Sequence, residues 1–127
     1  MGARTNFNFI TSEGEMVLYS HWGGDSKKTD LAGALNAAMP RIKMGDTSYA
    51  LRIIISQLIG DSWDSETGYG LFLGPNGGEE QFDYLGVDFV KGLVITPEVT
   101  RTFKEFIDFY GRSLAAVGVA TVASSDN

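Results

Sequence analysis

Thr5-Asn6-Phe7-Asn8-Phe9-Ile10, then Ser12-Glu13-Gly14, then Glu15-Met16-Val17-Leu18-Tyr19-Ser20-His21-Trp22 is the stretch whose reading sets the fold class. Asn6 and Asn8 alternate with Phe7 and Phe9, the period of two of a half-buried strand, and Ser12-Glu13-Gly14 supplies turn chemistry. Glu15 to Trp22 is then a returning strand, with Val17, Tyr19 and His21 on one face and Met16, Leu18, Ser20 and Trp22 on the other. Both faces are largely apolar, which predicts a strand covered on both sides and ended by Gly23-Gly24.

Downstream the period changes to that of a helix. Several caps between Asp25 and Asp30 precede Leu31, Ala34, Leu35, Ala38 and Met39, a helical spacing that Pro40 is expected to stop. Asp46 or Thr47 caps a second helix through Tyr49, Leu51, Ile54, Ile55, Leu58 and Ile59, closed by Gly60. Asp61 to Gly68 reads as a polar loop around Trp63. Short strands follow at Tyr69 to Leu73 and Gln81 to Leu85, joined in a hairpin by Pro75-Asn76-Gly77-Gly78. A further hairpin pairs Val87 to Val90 with Leu93 to Thr96 about Lys91-Gly92. Thr96-Pro97-Glu98 has the chemistry of a helix start, and Val99, Phe103, Phe106, Ile107 and Tyr110 give that helix one apolar face. Gly111 is a candidate end for it, with Ser113 to Ala116 as an extension. The expectation is an α+β fold, an antiparallel sheet packed with about three helices in the order ββααββββα. Residues 1–116 form one domain and 117–127 a flexible, fraying tail.

The chain has 127 residues, 43% of them hydrophobic and 12% aromatic, enough for one packed core. It has no cysteine, which removes disulfides, thiol catalysis and thiolate metal sites. The first residues carry no secretory pattern and no apolar run approaches a bilayer span, so a cytoplasmic location without membrane insertion is expected. The formal charge of −6 is unevenly placed. Ile53 to Val90 holds no Lys or Arg but seven acids, Asp61, Asp64, Glu66, Glu79, Glu80, Asp83 and Asp88, while the remaining nine acids face ten bases. Such a block repels phosphate backbones and attracts basic protein surfaces, so direct nucleic-acid binding is not expected and the seven acids are the candidate partner-binding residues.

Chemistry-bearing groups are sparse. His21 is the single histidine. It is the catalytic candidate, with Tyr19 on its own strand face, whereas Ser20 points away and cannot serve as its nucleophile. Asp61, Asp64 and Glu66 share one loop, but their spacing departs from a calcium loop, and a solvated loop is the preferred reading over a metal site. Gly68, Gly70 and Gly74 lack the Lys-Ser or Lys-Thr and the helix start of a phosphate loop, so they mark turns and close strand approach. Tyr19, His21, Trp22, Tyr49, Arg52 and Trp63 are the candidate ligand-binding set. Arg41, Lys43 and Arg52 otherwise read as surface ion-pair partners. No cofactor is implied.

Val17-Leu18-Tyr19-Ser20-His21-Trp22-Gly23, with Met1-Gly2-Ala3-Arg4, Asn6-Phe7, Pro40-Arg41, Ser48-Tyr49-Ala50, Arg52 and Glu66-Thr67-Gly68-Tyr69-Gly70, resembles small uncharacterised accessory proteins of tailed phages that infect actinobacteria. The resemblance covers roughly the first 75 residues and carries over no catalytic residue. It implies a phage or prophage accessory gene and nothing about mechanism. Taken with the acidic block and the sparse titratable groups, it leads to the expectation of a non-catalytic phage accessory protein that binds a host factor in the host cytoplasm, antagonism of host defence being one form. The alternatives are a binder of a small nucleotide-like signal, a small hydrolase using His21, and a minor virion component. Exposed strand edges add an expectation of a homo-oligomer.

Overall fold

The computed structural model describes residues 4–21, 26–74 and 84–118. The opening strands form as their alternation requires: β1 (Thr5–Thr11) and β2 (Gly14–Ser20) pair antiparallel, with Phe7 opposite Leu18 and Phe9 opposite Met16. Thr11 closes their turn, its hydroxyl donating to the Gly14 carbonyl at 2.8 Å and accepting from the Glu13 N–H at 3.1 Å. β2 ends at Ser20, two residues before the expected Trp22, which lies outside the described residues. Leu18 and Val17 are both fully buried on opposite faces, as the two-sided apolar pattern predicts.

Helix α1 (Lys27–Lys43) does not stop at Pro40 but runs through it. Proline removes one N–H, the donor that would reach the Asn36 carbonyl. Asn36 and Pro40 are both exposed, which leaves that carbonyl open to solvent rather than buried without a donor, and the last turn keeps Ile42 packed on the core. Helix α2 (Thr47–Ile59) begins at Asp46, whose carboxylate accepts the Tyr49 N–H at 3.2 Å. It ends at Gly60, where φ is 60°, a left-handed conformation that glycine adopts without a Cβ penalty. The Ile53-Ile54-Ile55 run is helical and buries Ile54 and Ile55. Arg41 reaches across from α1 to the Asp46 carboxylate at 3.1 Å, tying the two helices at their junction. A short 3-10 turn, Gly60–Asp64, follows.

The remaining strands are β3 (Tyr69–Leu73), β4 (Tyr84–Asp88), β5 (Leu93–Ile95) and β6 (Thr100–Thr102), and the six-stranded sheet has the order β3-β2-β1-β4-β5-β6. The class is α+β with a mostly antiparallel sheet and three helices. Its pairing differs from the expected one. β3 pairs with β2, β4 pairs parallel with β1, and β3 and β4 form no hairpin. The reason lies in β1, whose Phe7 and Phe9 are almost wholly buried and need neighbours on both sides. β4 supplies them by setting Leu85 beside Phe7 and Val87 beside Phe9. The segments expected as separate strands at 81–85 and 87–90 are thus represented by the single strand β4, within the residues described.

The hairpin of β4 and β5 forms about Gly92 as expected. The helix start expected at Thr96 is instead a tight turn: the Thr96 hydroxyl accepts the Val99 N–H at 3.0 Å and donates to the Val99 carbonyl at 2.7 Å, and β6 then returns along β5. Proline after threonine suits the second position of a turn as well as the first of a helix, so the local signal is degenerate. Helix α3 (Phe103–Gly118) starts later, on a reciprocal cap. Thr102 Oγ1 accepts the Glu105 N–H at 3.1 Å, and Glu105 Oε1 accepts the Thr102 N–H at 2.9 Å. Gly111 lies inside α3, which extends past residue 116.

All three helices cover one face of the sheet. Phe7, Phe9, Leu18, Leu85, Val87 and Val94 from the strands meet Leu31, Leu35, Ile54 and Phe106 there. Among the described residues no helix is long and apolar enough to cross a membrane.

Candidate functional site

Tyr19 and His21 share the sheet face turned away from the helices. The Tyr19 hydroxyl lies 2.9 Å from His21 Nδ1, and the rings meet edge to face with centroids 6.2 Å apart. Ser20 is buried on the other face, so it does not approach the imidazole. Tyr49 and Arg52 stand in the first turns of α2, and Trp63 follows its far end. A 13-residue helix is about 20 Å long, which keeps these two groups apart. Arg41 stacks over the Tyr49 ring at 4.9 Å, a contact within the helix pair. The five described candidate ligand residues therefore do not converge on one pocket, and the sixth, Trp22, lies outside the described residues.

The acidic residues separate in the same way. Asp61, Asp64 and Glu66 are exposed, with no hydrogen bond or ion pair among the described residues. Asp88 has a different environment. It is 6% exposed, and its carboxylate accepts the N–H groups of Val90 and Lys91 at 2.9 and 3.0 Å, holding the turn after β4. Glu79, Glu80 and Asp83 lie outside the described residues. Among the described residues no three His, Asp or Glu side chains gather as a metal site would require, Asp61, Asp64 and Glu66 included.

What these elements do bring together is the outer edge of β3. The His21 N–H donates to the Gly68 carbonyl at 2.8 Å and the Gly74 N–H to the Glu15 carbonyl at 2.7 Å, which fixes the hydrogen-bonding phase of the ladder between β2 and β3. Bonded pairs alternate in an antiparallel ladder, so Gly70 and Phe72 also turn their backbone groups toward β2. Tyr69, Leu71 and Leu73 turn theirs outward, and among the described residues no strand meets them. Gly68 and Gly74, with φ of 104° and 89°, bracket this strand and set its length.

The side chains at this edge are apolar and uncovered. Leu71 is 50% exposed, Phe72 40% and Leu73 86%. On the helix side of the sheet, two clefts of about 180 Å³ open beside them. Trp63, Ile59, Leu18 and Leu71 wall the first, beneath the turn that carries Asp61 and Asp64. Leu51, Met16 and Leu73 wall the second, with Glu13 and Glu15 at its rim. Each is smaller than the roughly 300–1,000 Å³ of sites that enclose whole small molecules. Each has room for an aliphatic side chain. Compared with known protein families, with curated proteins and with solved structures, the chain matches none.

Proposed function

We propose that this protein is a non-catalytic binding module that engages a basic protein surface, acting as a phage accessory protein on a host factor in the host cytoplasm. The observation that carries the reading is the exposed acidic turn. Asp61, Asp64 and Glu66 project from Gly60–Asp64 and the loop after it, without cationic partners among the described residues, directly beside the uncovered apolar strand β3. Carboxylates of one sign around an apolar patch steer a basic partner to it and repel nucleic acid. The phage setting and antagonism of host defence rest on the resemblance of the segment around Leu18 to Gly23.

The test uses the full chain as bait in an actinobacterial lysate, beside the variant Asp61→Asn, Asp64→Asn, Glu66→Gln. The expected result is a basic protein retained in stoichiometric amount by the wild type at low ionic strength, and lost both from the variant and at raised salt. Equal retention by the variant at both salt levels overturns the reading. A hydrolase rate in the wild type that His21→Ala abolishes overturns it in favour of chemistry at the Tyr19–His21 pair.

A further inference from the structure

We infer that β3 is a strand-addition site. A partner segment in extended conformation pairs with its outer edge, places alternate aliphatic side chains in the two clefts, and carries Lys or Arg on both flanks. The inference rests on the binding reading above and specifies its mode. Three observations combine. Among the described residues, the outward N–H and C=O groups of Tyr69, Leu71 and Leu73 form an open row of donors and acceptors spaced for another strand. Strand addition draws affinity from such a row and specificity from pockets for alternate side chains. The two clefts meet that second requirement. Leu71 borders one and Leu73 the other, two residues apart on the same face, about 7 Å along the strand.

Charge then selects the occupant. Asp61, Asp64 and Glu66 stand at the Tyr69 end of the strand, and Glu13 and Glu15 at the Leu73 end. The elements lining the clefts contribute one cation, Arg52 on α2. The edge is therefore a neutral apolar strip between two acidic ends. An antiparallel pairing of two copies through β3 sets the Asp64–Glu66 end of one against the Glu13–Glu15 end of the other, acid against acid. A segment with basic flanks meets opposite charge at both ends, so the favoured occupant is a partner segment rather than a second copy. The opposite edge of the sheet is less open to the same use: β6 has three residues, and Arg101 on it is engaged over the Phe109 ring at 4.2 Å.

The test uses a synthetic nine-residue peptide of alternating valine and threonine with two lysines at each end, a second peptide with glutamates in place of the lysines, and amide hydrogen exchange on the intact protein. The lysine peptide is expected to bind at least tenfold more tightly than the glutamate peptide. It is expected to add exchange protection at Tyr69, Leu71 and Leu73, leaving Gly70 and Phe72 unchanged because their amides already face β2. Leu71→Pro deletes one outward donor without touching the ladder to β2, and Leu73→Lys adds charge at a side chain that is 86% exposed. Each is expected to weaken binding at least tenfold, and the second keeps the test valid should the first fail to fold.

The inference is overturned if the lysine peptide does not bind, if both peptides bind alike, or if folded Leu73→Lys retains full affinity. It is likewise overturned if Tyr69, Leu71 and Leu73 are protected in the free protein by a dimer. Failure here with capture of a basic protein intact leaves the binding reading standing with another contact surface. Peptide binding without any captured protein upholds the strand-addition site and removes the proposed host partner.

Discussion

Asp88 shows how a residue's charge and its role separate once the chain is folded. In sequence it is one of seven acids in a base-free stretch; in the structure its carboxylate is buried and holds two backbone N–H groups of the turn before β5. Removing a buried acceptor leaves those donors unsatisfied, so Asp88→Ala is expected to lose about 1–3 kcal/mol in urea denaturation, and Asp88→Asn, which keeps one acceptor oxygen, less. A loss below the error of the measurement would mean that water replaces the carboxylate there. Glu98 lies at the other extreme. The hydrogen bond from Lys28 at 3.2 Å holds its carboxyl below the ordinary glutamate value, although the side chain is exposed. The sign follows from that depression. The small stabilisation from this pair is present above the ordinary value, about pH 4.3, and fades as pH falls below it.

Among the elements, α1 is the clearest case of packing overriding a local signal. Pro40 costs the helix one hydrogen bond near its C-terminal end, and the helix continues because Ile42 and the Arg41–Asp46 bridge anchor the turn beyond it. Pro40→Ala restores the missing donor to Asn36 and is expected to raise stability by about 1–2 kcal/mol, the helix gain being reduced by the larger entropy of the unfolded chain. A lower melting temperature in that variant would show that proline fixes the path between α1 and α2. α3 teaches a related point. Thr96-Pro97-Glu98 and Thr102-Phe103-Lys104-Glu105 both carry helix-start chemistry, and the second is used because a threonine with glutamate three residues on satisfies two N–H groups at once. The spacing of Thr102 and Glu105 was the available signal for that start.

At the scale of the whole molecule, the decisive feature among the described residues is the asymmetry of the sheet, with three helices on one face, a short edge at β6 and an open apolar edge at β3. An open edge alone favours self-association, which is why the sequence raises an oligomer. The carboxylates at both ends of β3 oppose pairing of two copies. Screening weakens exposed charges over about 10 Å at 0.1 M salt. The chain is therefore expected to sediment as a monomer at low ionic strength and to self-associate increasingly as salt rises. A dimer that dissociates with added salt would reverse the sign of the effect and show that the ends attract.

The sequence by itself determined the α+β class, the opening strand pair, the start of α2 at Asp46 or Thr47 with its end at Gly60, and the divergence of Ser20 from His21. Each of these is written in short-range periodicity or in caps within four residues. Tertiary structure alone decided that β3 lies beside β2 and β4 beside β1. The turn chemistry at Pro75 to Gly78 is local and suggests a hairpin of neighbouring strands, whereas the need of buried Phe7 and Phe9 for two flanking strands is a property of the assembled sheet. That need places β4 against β1 and leaves β3 at the edge. The candidate site was legible only in part: the sequence marks Tyr69 to Leu73 as a short strand and predicts exposed strand edges, but that β3 is the edge follows from the strand order, in which no other strand among the described residues lies beyond it.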